Sequence, residues 1–158
     1  VIIEVSKKLK LEVHQQIFDN NSKILIEEKY NKLGIKNRLF NFDESLFENI
    51  NDFDLVITRS GASVISEISF LNIPFVAIPF PKARDNHQYF NAKFYENKNC
   101  CWLIRQSEIN IDSLSAKLIE VFNEKADYLE KKKNLEKISN QNTWNNVNKK
   151  LLELINEN

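Results

Sequence analysis

Long apolar runs and net charge are both missing from this sequence of 158 residues. No apolar stretch approaches the ~20 residues that a bilayer-spanning helix needs, and no signal peptide is visible, so we expect a soluble cytoplasmic domain. The 22 basic and 22 acidic residues cancel, which gives no sign of a surface for nucleic acid. The length suits a single domain with a substantial core, and no repeat or linker divides it.

Cysteine is scarce and badly placed for cross-linking. The only two cysteines, Cys100 and Cys101, are adjacent in an apolar run. Neighbouring cysteines rarely close a disulfide and lack the spacing of metal ligands, so we expect buried free thiols. No His/Cys grouping has ligand spacing either, which favours a site with no metal and no cofactor.

Glycine occurs only twice, and one glycine stands in the turn of the stretch from Asp54 to Glu67. The apolar run Leu55-Val56-Ile57 at its start predicts a strand buried on both faces of a parallel sheet. Gly61 permits either a positive φ or the close approach of a ligand to the backbone, and Ser60 is placed to cap the helix that follows.

The first turn of that helix is predicted to expose N–H groups at Ala62, Ser63 and Val64, which suits a diphosphate. Glu67 lies four residues after Ser63, so it shares that face and is able to accept hydrogen bonds from a ribose diol. The alternative is an ordinary strand-turn-helix in which Glu67 is solvated and Arg59 pairs with some carboxylate, and spacing alone does not separate the two.

The rest of the chain alternates strands and helices, which predicts an α/β fold with a Rossmann-like parallel sheet, helices on both faces and helices at the end. Ser22 is expected to cap a helix that stops at Gly34. The run from Glu130 to Lys133 is expected to be a solvated face, and His14 a satisfied interior histidine. Further predicted strands cover 11–17, 38–42, 75–79 and 100–104, and helices cover 1–9, 22–33, a short segment ending at 50, 62–71, 87–96, 112–123, 126–138 and 143–156.

Several motifs in one order resemble the C-terminal half of the MurG family of glycosyltransferases, which have the two-domain GT-B fold. The motifs are Asp54-Leu-Val-Ile-Thr-Arg-Ser-Gly-Ala-Ser-x-x-Ser-Glu67, Ile73-Pro74, Pro79-Phe-Pro-x-Ala83 and Asp85-Asn-His-Gln-x-x-Asn-Ala92. Enzymes of this family move N-acetylglucosamine from UDP-N-acetylglucosamine onto lipid-linked muramyl-pentapeptide (lipid I), making lipid II for peptidoglycan. The resemblance covers nearly the whole chain.

The resemblance implies the following roles. The backbone at Ser60 and Gly61, with Ala62, Ser63 and Val64, would meet the phosphates, and Glu67 would hold the ribose hydroxyls. Relatives often carry threonine where Val64 stands, so one hydroxyl contact is missing. The start of the 87–96 helix would bind the sugar through His87, Gln88 and Asn91. The end of the 38–42 strand would bind the uracil edge through Phe42 and Asp43. For Asn91 we favour a packing hydrogen bond.

The same resemblance implies an inverting transfer without a metal, with the catalytic residues in an N-terminal, acceptor-binding domain. Val1 is not methionine, and residues 1–158 correspond to the donor-binding domain without its first strand and glycine-rich loop. We therefore expect a fragment that is inactive alone. The implied partners are UDP-N-acetylglucosamine and, through the missing domain, the lipid-linked acceptor at the cytoplasmic face of the inner membrane.

Two other functions are compatible with these motifs. One is a stand-alone donor-binding subunit that needs a membrane-bound partner, although such a subunit should begin with its own glycine-rich loop. The other is a GT-B epimerase of UDP-N-acetylglucosamine, which should carry acidic and histidine catalytic residues in the binding half.

Overall fold

The computed structural model describes residues 1–42 and 52–141, which belong to two compact units. The first unit comprises residues 1–50 and 110–123, and the second comprises 51–109 and 124–158. The predicted short helix ending at 50 and the predicted helix over 143–156 lie outside the described residues. In chain order the elements are α1 (Ile2–Ser6), β1 (Glu12–Gln16), α2 (Asn20–Lys32), β2 (Lys36–Phe40), β3 (Val56–Thr58), α3 (Ala62–Phe70), β4 (Phe75–Ala77), α4 (His87–Glu96), β5 (Cys101–Leu103), α5 (Ile111–Asn123) and α6 (Lys125–Gln141).

The first unit is built on a parallel pair of strands. β1 pairs with β2 so that Gln16 lies opposite Phe40, and α1 packs against α5. A small core lies against this strand pair and is built from residues on or directly beside β1, α2 and β2. Its buried members are Ile17, Tyr30, Ile35 and Leu39.

Both ends of α2 show how local chemistry sets its limits. The carboxylate of Asp19, directly before the helix, accepts the Ser22 N–H at 2.7 Å. The prediction that Ser22 is the capping residue is therefore wrong, because Asp19 occupies the position from which a side chain reaches the free amides. At the other end Gly34 has a φ of +67°, the left-handed stop that the sequence predicts.

The second unit contains a three-stranded parallel sheet with the order β3-β4-β5. Its central strand β4 is completely buried, which agrees with its unbroken apolar sequence. β3 is an edge strand of this sheet, and Ile57 is 41% exposed. The prediction of a strand buried on both faces is therefore wrong at Ile57.

The helix α6 packs against α3 in the same unit. The prediction that Glu130–Lys133 is a solvated run is wrong at Lys131, which is only 5% exposed. Its ammonium donates to Asp127 Oδ1 at 2.6 Å and to Asn99 Oδ1 at 2.7 Å, and it lies 4.8 Å from the centroid of the Trp102 ring. Burial of this charge is satisfied by specific partners from α6 and from the segment that leads into β5.

The two cysteines are buried free thiols, as predicted. Burial raises the pKa of the Cys101 thiol from an ordinary value near 9 to about 12 and also raises the pKa of Cys100. Both therefore stay protonated at neutral pH, which suits core packing and not nucleophilic or redox chemistry.

Candidate functional site

The turn between β3 and α3 begins the candidate site. Gly61, with φ −63° and ψ 139°, is the residue directly before the helix, and no side chain caps α3. The prediction that Ser60 caps this helix is therefore wrong: Ser60 lies one position too early, is fully buried, and its hydroxyl has no hydrogen-bond partner among the residues described. The sequence offered two reasons for glycine at this position, a positive φ and the close approach of a ligand, and the observed φ excludes the first. A Cβ added to Gly61 would meet no atom within 4 Å, so the turn is open on that side.

Free backbone amides mark the start of α3. The first hydrogen bond of the helix runs from Ile65 N–H to the Gly61 carbonyl. Within the described ranges the N–H groups of Ala62, Ser63 and Val64 have no acceptor, and all three residues are exposed. Such amides, at the positive end of a helix, bind anions.

Glu67 extends this exposed face. It lies one turn after Ser63 on α3 and is exposed to solvent. Its carboxylate makes no hydrogen bond or ion pair with the part of the chain that the structure describes, so it is available to a ligand. Val64, whose side chain is 38% exposed, lies between them and offers no hydroxyl.

The segment before α4 uses two unusual backbone conformations. Asp85 and Asn86 have φ values of +51° and +53°, a left-handed region that Asn and Asp tolerate better than most residues. Two successive left-handed residues turn the chain sharply into α4. His87, the first helical residue, is exposed and its Nδ1 donates to the Arg84 carbonyl at 2.7 Å.

Gln88 and Asn91 attach α4 to the two loops beside it. The Phe80 N–H donates to Gln88 Oε1 at 2.9 Å, and Asn91 Nδ2 donates to the Ser60 carbonyl at 3.1 Å. The packing hydrogen bond favoured for Asn91 is therefore confirmed. The acceptor end of the Gln88 amide is engaged, whereas its NH₂ end has no acceptor among the residues that the structure describes and is able to donate to a ligand. Both side chains are half-buried.

Arg59 has a structural role, with partners that the sequence did not predict. Its guanidinium Nη1 donates to Gln106 Oε1 at 2.8 Å, to the Ile78 carbonyl at 3.2 Å and to the Pro79 carbonyl at 3.4 Å. The guanidinium carbon lies 5.7 Å from the centroid of the Phe80 ring. The sequence places Arg59 next to Ser60 in the turn, which hinted at a role in the site. Its hydrogen-bond partners lie 19 to 47 residues away in the sequence.

The two residues predicted to bind the uracil edge, Phe42 and Asp43, belong to the first unit. Phe42 is 75% exposed and follows β2, which ends two residues earlier than predicted. Asp43 lies outside the described residues. His14, in the same unit, is partnered by the Glu12 carboxylate at 3.2 Å. It is therefore satisfied, as predicted, but its side chain is half-buried and not interior.

The sequence contains one Asp-x-Asp pair, Asp52-Phe53-Asp54, which the prediction of a metal-free site did not take into account. The pair precedes β3, so it is at the amino end of the strand, whereas Ser60 and Gly61 follow its carboxyl end. No group of three or more potential metal ligands occurs among the residues described. The metal-free expectation stays a prediction.

The parallel strands and the helices that connect them are the architecture of the C-terminal half of a GT-B type glycosyltransferase. The chain aligns with the crystal structure of Acinetobacter baumannii MurG over 99% of this chain and 45% of that one, with a TM-score of 0.69 and 19% identity. The glycosyltransferase VinC, solved in complex with dTDP, aligns over 88% and 32% with a TM-score of 0.63 and 13% identity. At these identities the alignments establish the fold.

The chain belongs to the glycosyltransferase family 28 C-terminal domain, which it matches over residues 1–150. It is 42% identical to a UDP-N-acetylglucosamine--N-acetylmuramyl-(pentapeptide) pyrophosphoryl-undecaprenol N-acetylglucosamine transferase of Pelagibacter ubique, over 99% of this chain and 44% of the relative. The enzyme of the same description from Rickettsia bellii is 35% identical over 76% and 33% respectively. The chain thus spans less than half the length of these curated relatives.

No helix in the described ranges combines the length and the apolar character needed to cross a membrane.

Proposed function

We propose that this chain is the UDP-N-acetylglucosamine-binding part of an inverting N-acetylglucosaminyltransferase that acts on lipid-linked muramyl-pentapeptide. The observation that carries the proposal is the exposed start of α3, with three free amides and Glu67 on one face, in a chain of glycosyltransferase family 28. The relatives named above carry this activity in their descriptions.

Each part of the donor has a group of matching chemistry. The amides of Ala62, Ser63 and Val64 face the diphosphate and stabilise the charge that builds on it as the glycosidic bond breaks. Glu67 accepts hydrogen bonds from the ribose hydroxyls, and the free NH₂ of Gln88 donates to a hydroxyl of the sugar.

The remaining roles rest on the family motif. His87 is a further sugar contact, and the backbone at Phe42 and Asp43 reads the uracil edge. Asn91 lies beside the sugar and holds α4 in place through its bond to the Ser60 carbonyl. The acceptor and the catalytic base belong to a part of the enzyme that these 158 residues do not include. The whole enzyme would work peripherally at the cytoplasmic face of the inner membrane, where its lipid-linked acceptor lies.

Calorimetric titration of the chain with UDP-N-acetylglucosamine and with UDP-glucose tests the proposal. We expect the N-acetyl sugar to bind more tightly. Equal affinities would remove the assignment of the sugar, and the absence of binding by either nucleotide sugar would remove the proposed function.

Replacing Glu67 by alanine is expected to weaken UDP binding about tenfold or more, because hydrogen bonds to a charged group contribute about 1.5–3 kcal/mol. The fold should be unaffected, since Glu67 is exposed and makes no contact within the described ranges that the change would break. Calorimetry with UDP measures the effect. Glu130→Ala, which also removes an exposed helical carboxylate, is the matched control, and equal affinities of the two variants would contradict the ribose assignment.

Replacing Gly61 by alanine should separate binding from folding. The φ of −63° suits alanine and its Cβ meets no neighbour, so the free energy of unfolding should be unchanged or higher by about 0.4–1 kcal/mol. The added methyl occupies the open side of the turn where the diphosphate is proposed, so UDP affinity should fall by about tenfold, the equivalent of ~1.4 kcal/mol. Denaturant unfolding and calorimetry together measure both quantities. Undiminished UDP affinity in a folded variant would place the diphosphate elsewhere.

A further inference from the structure

Three side chains connect the loops around the proposed donor site. Arg59 reaches from the turn before α3 to the loop that follows β4, through the carbonyls of Ile78 and Pro79. Gln88 holds that same loop to α4 through the Phe80 N–H. Asn91 then holds α4 to the turn before α3 through the Ser60 carbonyl. We call Arg59, Gln88 and Asn91 the loop ring.

The loop ring joins the part of the site that faces phosphate to the part that faces sugar. The turn before α3 leads into the amides of Ala62 to Val64, whereas Gln88 is at the start of α4. Backbone bonds from Ile78 N–H to the Thr58 carbonyl at 2.8 Å and from Ile104 N–H to the Ala77 carbonyl at 3.0 Å continue the sheet beneath these loops. Beyond these backbone hydrogen bonds, the side chains of the loop ring set the distances between the loops.

Arg59 is the member with the most contacts, and all of its acceptors are neutral. Gln106 adds a third acceptor from the segment that follows β5, and the Phe80 ring covers one face of the guanidinium. Among the described residues no carboxylate pairs with Arg59. A planar guanidinium that binds several acceptors at fixed angles is a rigid connector that a lysine ammonium does not reproduce.

We propose that Arg59 is a positioning residue of the donor site, which fixes the spacing between the phosphate-binding turn before α3 and the sugar-binding start of α4. The inference rests on the proposed function, and it concerns Arg59 alone. Arg59 allows one ligand to occupy the diphosphate and sugar positions at the same time. Its loss should therefore lower the affinity for the nucleotide sugar more than the affinity for the nucleotide.

The measured quantity is the ratio of the affinities for UDP-N-acetylglucosamine and UDP, from calorimetric titration of the 158-residue chain. For Arg59→Ala we expect this ratio to fall about fivefold to tenfold, an effect comparable with the loss of one ordinary hydrogen bond. Arg105→Ala is the matched control. Arg105 is a second arginine with a hydrogen bond and a ring contact, both with Tyr89. Neither contact involves the turn before α3, so the loss of Arg105 should leave the ratio unchanged.

Two further variants separate position from charge. Arg59→Lys keeps the charge without the planar geometry, so UDP affinity should stay within about twofold of wild type while most of the fall in the ratio persists. Gln106→Ala keeps Arg59 and removes one acceptor, and the ratio should fall about twofold to threefold. These two variants decide the question if Arg59→Ala does not fold.

The contrary results are distinct. An unchanged ratio in Arg59→Lys and Gln106→Ala would overturn the positioning role, and so would full recovery of both affinities in Arg59→Lys, which would leave charge as the only contribution. A wild-type chain that binds neither ligand would instead overturn the proposed function itself.

Discussion

Replacing Phe75 by alanine is expected to lower the free energy of unfolding by about 4 kcal/mol, as typical for a phenylalanine deleted from a packed core. Phe75 begins the central strand β4, its side chain is completely buried, and its ring meets that of Tyr95 edge to face with centroids 5.6 Å apart. Tyr95 is on α4, so the cavity would open between the sheet and the helix that carries Gln88 and Asn91. Thermal unfolding should show a fall in Tm of roughly 10 °C.

Phe70→Ala is the matched control for this prediction. Phe70 is the last residue of α3 and is 66% exposed, and its hydrogen bond with Ser139 uses the backbone carbonyl. We expect its loss to change the free energy of unfolding by no more than about 0.5 kcal/mol. A similar fall in Tm for both variants would show that β4 and α4 are not the packed centre of the second unit.

Local signals in the sequence predicted most of the elements. The strands and helices of the second unit match their predicted positions closely, because each has a strong local signal: the unbroken apolar run of β4, for example, or the polar loop that ends at His87. Gly34 marked the end of α2 because only glycine adopts the left-handed conformation there at no steric cost. Errors of one to three residues occurred where several capping residues compete, as at Asp19 and Ser22.

The sequence did not predict the contacts between segments that are distant along the chain. Lys131 belongs to a run of charges that is indistinguishable from a solvated face until Asp127, Asn99 and Trp102 are known to surround it. The partners of Arg59 are mainly backbone carbonyls, which carry no sequence signature. Ser60 was assigned a cap from its residue type, whereas its buried position depends on how the turn packs.

The structure gives some residues of the motif that resembles the MurG family local roles that differ from the predicted ones. Gly61 has no positive φ and a Cβ would fit at its position, so the fold itself does not require glycine there, and Asn91 contributes a packing bond to Ser60. Two of the motif's polar side chains, Gln88 and Asn91, therefore hold loops together whether or not they also touch a sugar. A substitution at either one would alter binding through geometry as well as through a lost contact, which is why the affinity ratio is more informative than a single affinity.

Removing the Asp127 carboxylate is expected to cost about 3 kcal/mol of stability, because an almost fully buried lysine would lose its only described anionic partner while its charge remains. Asp127→Ala would also leave the indole N–H of Trp102 without the acceptor that it has at 2.9 Å. Lys131→Met is the informative counterpart, since it removes the buried charge and keeps the volume of the side chain, and Asp127 remains about one third exposed and bonded to Trp102. We expect it to cost less than about 1 kcal/mol, as replacing a buried charge by a well-packed apolar group is often close to neutral. Urea unfolding of the three proteins measures the difference. If Lys131→Met were as destabilising as Asp127→Ala, the ion pair itself would be the source of stability, and the penalty of an unpaired buried charge would not explain the result.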